Sequence, residues 1–173
     1  GAGREEVRVS RLGLDAINSQ EDLSRDATFV EAKLGKTYFS PVYFRNESEP
    51  YITIAVPEGE TPIEVTVADV NLKSIWDVVS QIKIGKTGYA YAVDRNGLLV
   101  AHPDISVVLQ KRDLSNLPQV RSARTALAGS AADKDVATIH QGLRGERVLT
   151  TYAAIAPLGW LVFVEQSIGE AFA

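Results

Sequence analysis

Tyrosines are the residues whose positions in this sequence most strongly indicate a binding chemistry. Five of the six tyrosines occur between positions 38 and 91, at Tyr38, Tyr43, Tyr51, Tyr89 and Tyr91. Tyr51 and Thr53 alternate with apolar residues in a β-branched segment, so one face of a strand would carry an aromatic ring and a hydroxyl. Such a face suits a small-molecule pocket, in which a few polar groups orient the ligand. We therefore predict a ligand chamber on the tyrosine-bearing side of this sheet.

Tyr89 and Tyr91 would share one face of another strand, opposite the small residues Gly88, Ala90 and Ala92. The small residues leave room for another element to pack closely. The alternative for each tyrosine is a structural role, in which the ring is buried and the hydroxyl reaches water. Both interpretations stay open for any single tyrosine, whereas the group as a whole favours a pocket.

Two charged residues accompany the tyrosines. Arg45 could bind an anionic group, because a guanidinium pairs strongly with carboxylates, and the alternative is a solvated loop arginine. Asp69 precedes a predicted helix and could either cap that helix or hold an amine or hydroxyl group of a ligand. The predicted ligand-binding residues are Tyr38, Tyr43, Arg45, Tyr51, Thr53, Asp69, Tyr89 and Tyr91.

The composition excludes several classes of protein. The 173 residues are 45% hydrophobic and 23% charged, which is typical of a globular chain rather than a disordered one. A net charge of −4 and a pI of about 5.2 argue against nucleic-acid binding. Because the sequence contains no cysteine, it cannot form zinc–thiolate sites, iron–sulfur clusters or a catalytic thiol. No run approaches the roughly 20 apolar residues that a membrane span needs.

No motif indicates an enzyme. We interpret His102, which precedes Pro103 at a strand end, as hydrogen-bonded in a turn, and His140 as part of a surface strand. Gly-Lys-Thr-Gly at residues 85–88 lacks both the earlier glycine and the following helix of a phosphate-binding loop. The carboxylates form no pair at helical spacing. We therefore expect no catalytic residue, no metal ligand and no cofactor.

The N-terminal half is predicted to contain three strands and two helices, followed by a hairpin. The first helix covers residues 27–34, and the strands cover residues 38–44, 51–56 and 63–68, where aromatic and β-branched residues cluster. The second helix has Asn71 as its N-cap and apolar residues at the spacing of one helical face. Asn-Gly at residues 96–97 is a strong hairpin signal between strands at 87–93 and 98–101.

The C-terminal half is predicted to contain three further strands. Its predicted elements are a helical turn at 105–109, a helix near 117–129, a mobile loop at 130–135 and strands at 136–141, 147–155 and 160–165. Ser167 and Glu170 have the spacing of a capping box that begins a last helix. Because the strands follow one another along the chain, we predict antiparallel pairing and an α+β fold. Two sheet-plus-helix units would result, over residues 4–104 and 105–173.

Two segments resemble the double-Cache (dCache) extracytoplasmic sensor domain. Val-Thr-Val-Ala-Asp-Val-Asn-Leu at residues 65–72 precedes a hairpin that begins with Gly-Lys-Thr-Gly-Tyr-Ala at 85–90 and ends with Ala-His-Pro-Asp at 101–104. Thr-Tyr-Ala-Ala-Ile-Ala-Pro-Leu-Gly-Trp-Leu-Val at 151–162 is similar to the last hairpin of the membrane-proximal Cache unit. The likeness covers roughly residues 25–170.

The resemblance implies two PAS-like units, each an antiparallel sheet with flanking helices. A membrane-distal, ligand-binding unit would cover residues 4–104, and a membrane-proximal unit with the start of an exit helix would cover 105–173. The long N-terminal helix of the family would be absent from this chain, and we expect residues 1–3 to be a cloning remnant. The resemblance also implies a periplasmic domain of a homodimeric inner-membrane receptor. Its output would be a histidine kinase of a two-component system, a nucleotide or diguanylate cyclase, or a chemoreceptor.

The pattern with which this family binds amino acids is only partly matched. Members that bind amino acids carry an arginine followed by Trp-Tyr, and later a tyrosine and an aspartate. Here Arg25 and Asp69 match, but Asp-Ala-Thr-Phe follows Arg25. Another small organic ligand, such as a carboxylate or an amine, is an equal expectation. The expected function is a sensory module that binds a small organic ligand, and the alternative is a ligand-free structural or dimerisation module of a membrane receptor.

Overall fold

The computed structural model describes residues 2–10, 13–60, 64–128 and 137–173. The chain divides into two units, Gly1–Ser40 with Ile52–Val70 and Pro41–Tyr51 with Asn71–Ala173. The unit boundary predicted between residues 104 and 105 lies inside the second of these units. The loop predicted at 130–135 lies outside the described residues, as do Ile63 and Val136 at the starts of two predicted strands.

The first unit begins with a short hairpin and a capped helix. Its elements are β1 Val7–Arg8, β2 Ala16–Ile17, α1 Ala27–Ala32 and β3 Tyr38–Phe39, together with most of β5 Glu49–Glu58 and β6 Glu64–Asn71. Helix α1 confirms the prediction for residues 27–34, and Asp26 caps it by accepting a hydrogen bond of 2.8 Å from Thr28 N. The pairing of β1 with β2 is missed by the sequence analysis, because two-residue strands are too short to show an alternating pattern.

The segment predicted as one strand over residues 38–44 forms two strands, β3 and β4 Tyr43–Arg45. Pro41 lies between them, and proline cannot donate a backbone hydrogen bond to a sheet. Both strands pair antiparallel with β5: Tyr38 lies opposite Ala55, and Tyr43 lies opposite Tyr51. Strand β6 also pairs with β5.

The second unit contains a five-stranded antiparallel sheet in the order β8-β7-β11-β10-β9. The strands are β7 Tyr89–Val93, β8 Leu99–Ala101, β9 Thr138–Gln141, β10 Arg147–Ile155 and β11 Trp160–Ser167, and the helices are α2 Lys73–Gln81, α3 Ile105–Leu109, α4 Pro118–Ala128 and α5 Ile168–Ala171. The antiparallel pairing and the α+β class are confirmed. The C-terminal strand β11 lies in the centre of the sheet, so it joins the hairpin β7–β8 to the later hairpin β9–β10.

Local side-chain contacts fix the ends of the elements in this unit. The N-cap of α2 is Leu72, one residue after the predicted Asn71, although Asn71 accepts a hydrogen bond of 2.8 Å from Lys73 N in the first turn. Trp76 on the buried face of α2 donates a hydrogen bond of 2.7 Å to the carbonyl of Val100 on β8. In the predicted hairpin, Asp94 Oδ1 accepts hydrogen bonds from the backbone amides of Asn96 and Leu98, at 2.8 and 2.9 Å.

The predicted capping box at the last helix is wrong. Ser167 precedes α5 but makes no side-chain hydrogen bond to it. The carboxylate of Glu170 instead accepts hydrogen bonds from the backbone amides of Lys86 and Thr87 and from the Thr87 hydroxyl. Gly85 beside them has a φ of +57°, which favours glycine, and a Cβ there would displace the Glu170 carboxylate from its present position. The Glu170 carboxylate therefore binds the segment before β7 and does not cap its own helix.

Candidate functional site

Three of the predicted site residues form an aromatic and cationic group, which we call the Arg45 cluster: Tyr43, Arg45 and Tyr51. The rings of Tyr43 and Tyr51 are stacked with centroids 6.1 Å apart, as expected for residues directly opposite each other on β4 and β5. The guanidinium carbon of Arg45 lies 4.4 Å from the Tyr51 centroid and 5.7 Å from the Tyr43 centroid. These distances are within the range of cation–π attraction, so the arginine is held against both rings.

The tyrosine-bearing face of β5 is more buried than the sequence analysis predicts. Tyr51, Thr53 and Ala55 are 6%, 9% and 0% exposed, and Tyr43 and Arg45 lie against Tyr51. On the apolar face of the same strand, Ile52 is 2% exposed but Val56 is 39% exposed. Both faces of the strand are therefore covered near Tyr51, whereas the apolar face is exposed to solvent at Val56.

A polar pair in the first unit joins two further predicted residues. The hydroxyl of Thr53 donates a hydrogen bond of 2.6 Å to Asp69 Oδ1, and the Thr53 amide donates one of 2.9 Å to the Ser40 hydroxyl. Asp69 is exposed and lies within β6, so it does not cap α2, whose first-turn amide of Lys73 donates to Asn71. Tyr38, the remaining predicted residue of this unit, is half-buried on β3.

The other two predicted tyrosines meet a buried carboxylate. Tyr89 and Tyr91 on β7 donate hydrogen bonds of 2.6 and 2.8 Å to the two oxygens of Glu165, which is 0% exposed on β11. Gln119 of α4 donates a third, of 3.0 Å. We call these four residues the Glu165 cluster. The three donors lie on two elements and converge on one carboxylate. Both tyrosine hydroxyls therefore already have a buried hydrogen-bond acceptor within the unit.

The electrostatics of the Glu165 cluster follow from its burial. Burial and the neighbouring Glu165 carboxylate raise the pKa values of Tyr89 and Tyr91 well above the usual tyrosine range. Both hydroxyls therefore stay protonated and can donate at any physiological pH. In the part of the chain that the structure describes, no salt bridge involves Glu165. Three hydrogen-bond donors therefore stabilise its negative charge directly, and the guanidinium of Arg144 lies 4.9 Å from the centroid of the Tyr89 ring.

His102 lies at the edge of this cluster. Its ring meets the Tyr89 ring edge-on, with centroids 5.4 Å apart, and its Nδ1 accepts a hydrogen bond of 3.0 Å from Asp104 N. Burial lowers the pKa of His102. The interpretation of His102 as a histidine hydrogen-bonded in a turn is confirmed. Among the described residues, no group of three or more histidine and carboxylate side chains is arranged to hold a metal ion.

Glu165 and Gln119 are absent from the residues predicted from the sequence. A signal for Glu165 was present, because Leu161, Phe163 and Glu165 alternate along β11 and are all buried. A charged residue in register with two core residues indicates a buried polar site. No local signal identifies Gln119, since its role depends on the packing of α4 against the sheet.

The Cache domain family model dCache_1 matches residues 6–173. The chain belongs to the Cache domain family. A search of curated proteins found no match. None of the helices in the described part of this Cache chain combines the length and the apolar character needed to cross a membrane.

Solved structures with the same fold include the extracellular domain of mmHK1S-Z2, described as a histidine kinase. It is 18% identical, with a TM-score of 0.70, and the match covers 93% of this chain and 62% of that one. The ligand-binding domain of Mlp24 with asparagine is 18% identical, with a TM-score of 0.59 and coverages of 91% and 62%. The ligand-binding domain of the Pseudomonas aeruginosa PAO1 amino acid chemoreceptor PctC in complex with GABA is 17% identical, with a TM-score of 0.58 and coverages of 95% and 71%. At these identities the likeness establishes the fold, and this chain spans less than two thirds of the first two structures.

Proposed function

We propose that this chain is an extracytoplasmic sensory module that binds a small organic ligand. Membership of the Cache family supports the proposal, as do the fold neighbours with bound small molecules, asparagine in Mlp24 and GABA in PctC. The intact protein would be a membrane-anchored homodimeric receptor with its sensor in the periplasm and a kinase, cyclase or chemoreceptor output in the cytoplasm. We propose no catalytic activity for the sensor itself.

The observation that carries the proposal is the position of Arg45 over the Tyr51 ring, 4.4 Å from its centroid. Tyr43 and Arg45 are each half-buried, so part of the Arg45 cluster is accessible to a solute. A guanidinium beside two aromatic rings favours a ligand with a carboxylate and a compact apolar part. We therefore propose that a small carboxylate, an amino acid included, contacts the Arg45 cluster.

The other predicted site residues keep separate proposed roles. In the first unit, the Thr53–Asp69 pair could contact an amine or hydroxyl group of a ligand, and Tyr38 remains a predicted contact on the same unit. Tyr89 and Tyr91 donate to Glu165, so we propose that their contribution to binding is indirect, through the order of β7. The assignment of a membrane-distal and a membrane-proximal unit also remains a prediction.

We further propose that ligand binding shifts a conformational equilibrium of the receptor. The shift can be no larger than the difference in ligand affinity between the two states. A ligand at 100 times its dissociation constant stabilises the state that binds it by about 2.7 kcal/mol. That magnitude is large enough to be detected as a rise in the melting temperature of the chain.

A ligand-free structural or dimerisation module is the second candidate function. The burial of Tyr51, Thr53 and Ala55 favours it, because these side chains are covered by the chain's own residues. Under this hypothesis the Arg45 cluster is a packing feature of β4 and β5, and no small molecule stabilises the protein.

A thermal-shift screen of small carboxylates and amino acids distinguishes the two candidates. We expect at least one compound to raise the melting temperature in a saturable manner. Arg45→Gln should abolish that rise, because it removes the guanidinium, whereas Arg147→Gln at an exposed position on β10 should leave it unchanged. If no compound stabilises the chain, the ligand proposal fails and the structural module is supported. If a compound binds equally well to Arg45→Gln, the proposed site is wrong.

A further inference from the structure

A cavity of about 150 Å³ lies between α4 and the sheet of the second unit. Its nine lining residues come from α4, β9, β10 and β11, and none of them belongs to the predicted ligand-binding set. Phe163 and Ala123 provide apolar walls, whereas Gln119, Thr150 and Tyr152 provide polar ones. An engineered apolar cavity of this volume in another protein holds benzene, so the space suits a molecule of about six non-hydrogen atoms.

The polar walls of this cavity contain an unusual concentration of unpaired atoms. Within the described residues, three buried side-chain polar atoms have no hydrogen-bond partner: Gln119 Oε1, Thr150 Oγ1 and Tyr152 Oη. All three residues line this one cavity, and Gln119 and Thr150 are each only 2% exposed. A buried polar atom without a partner costs about 1–3 kcal/mol, so three of them at one place indicate a site for a polar molecule.

The Glu165 cluster fixes the orientation of the Gln119 amide. Gln119 Nε2 donates hydrogen bonds to Glu165 Oε1 at 3.0 Å and to the carbonyl of Gln141 at 3.2 Å. The opposite amide orientation would place Oε1 against a carboxylate and a carbonyl, which are both acceptors. Gln119 Oε1 is therefore left as an acceptor at the cavity, and its partner must be an N–H or O–H donor.

The remaining lining residues specify the charge of the occupant. Thr150 and Tyr152 can each donate or accept, and His140 on β9 adds a further ring nitrogen. The lining includes neither lysine nor arginine, so a buried anion would have no counter-charge. The carboxylate of Glu165, one hydrogen bond beyond Gln119, further disfavours a negative ligand.

From these observations we propose that the cavity is a second binding site, for small uncharged molecules that carry an amide or hydroxyl donor. The donor pairs with Gln119 Oε1, the polar group also meets Thr150 and Tyr152, and the apolar part packs against Phe163 and Ala123. This inference does not depend on the Arg45 cluster, because the two sets of residues share no member.

Titration by nuclear magnetic resonance with matched probes tests this proposal. Butyramide and butane-2,3-diol are neutral hydrogen-bond donors of about six non-hydrogen atoms. Butyrate is the anionic counterpart of butyramide and has the same number of non-hydrogen atoms. We expect at least one neutral probe to bind saturably, with a dissociation constant of about 1 mM or lower, and to shift the amide signals of Ala123 and Phe163. Butyrate should not shift these signals. Failure of both neutral probes, or equal binding of butyrate, would overturn the proposal.

Variants on one strand provide the specificity control. Thr150→Val replaces the unpaired hydroxyl by a methyl group and should weaken the binding of the neutral probe about fivefold, the effect of one hydrogen bond of roughly 1 kcal/mol. Tyr152→Phe provides an independent second test. Thr151→Val is the matched control, because alternation along β10 directs Thr151 away from the face of Thr150 and Tyr152. Unchanged affinity in both cavity variants would show that the probe binds elsewhere and that the proposal is wrong.

Discussion

Tyr91 and Glu165 form a buried hydrogen bond between adjacent antiparallel strands, with the tyrosine hydroxyl 2.8 Å from Glu165 Oε1 and both residues fully inaccessible to solvent. Tyr89 donates to the other carboxylate oxygen from two residues earlier on the same strand. These bonds join the β7–β8 hairpin to β11. The interior tolerates a carboxylate in this position because neutral donors hydrogen-bond to it. The stability of the sheet therefore depends on keeping those donors.

Glu165→Gln should destabilise the protein although it conserves size. The amide group replaces one acceptor oxygen by a donor and removes the negative charge, so at least one of the three donors loses its carboxylate acceptor. Hydrogen bonds to charged groups contribute about 1.5–3 kcal/mol, and we expect a loss of that size in the free energy of unfolding measured with urea. Glu31→Gln, at an exposed position on α1, is the control and should be neutral. Equal stability of the two variants would contradict the structural role assigned to Glu165.

Tyr91→Phe and Tyr152→Phe remove the same atom with opposite expected consequences. Tyr91→Phe deletes a donor to Glu165 and should lower the free energy of unfolding by about 1.5–3 kcal/mol. Tyr152→Phe deletes a buried hydroxyl without a partner, so its stability should be equal to or higher than that of the unmodified chain. Urea unfolding of both variants under the same conditions checks the difference. A larger loss for Tyr152→Phe would mean that its hydroxyl has a partner in solution.

The secondary structure could be predicted from the sequence where the signal is local. Strand β10 has the predicted bounds of residues 147–155, because its alternating residues lie between two glycine-containing turns. The hairpin turn at residues 96–97 follows from its Asn-Gly pair, and Asp94 stabilises it through backbone amides only two and four residues away. In each case the physical cause lies within a few residues of the element it determines.

The candidate site could not be predicted to the same extent, because its contacts are long-range. Tyr89 and Tyr91 meet Glu165 across 76 and 74 positions of sequence, through the pairing of β7 with β11. The shared face of the two tyrosines was predictable from alternation. The carboxylate that accepts hydrogen bonds from their hydroxyls was not predictable. The same argument applies to Glu170, whose spacing from Ser167 indicates a local cap although its partners are Lys86 and Thr87.

The burial of His102 predicts a pH dependence of stability. Its pKa is lowered in the folded protein, chiefly by burial, so the unfolded chain takes up a proton first as the pH falls through about 6.5. The stabilising contribution of the neutral, buried ring is present above that pH and is lost at lower pH. We expect the free energy of unfolding to decrease between about pH 7 and pH 5, and the decrease to be smaller in His102→Gln. Identical slopes for the two proteins in urea titrations would show that His102 is not responsible.

Glu170 links the last helix to the segment before β7, and this link should be visible in amide exchange. Its carboxylate accepts a hydrogen bond of 2.8 Å from Thr87 N, and the contact with the Thr87 hydroxyl is the main cause of its lowered pKa. The contact is therefore present above about pH 4.5 and is lost as the pH falls through the lowered pKa of the folded state. Glu170→Gln should reduce the protection factors of the Lys86 and Thr87 amides at neutral pH, whereas Glu31→Gln should not change them. Unaltered protection in Glu170→Gln would mean that other contacts hold this segment in place.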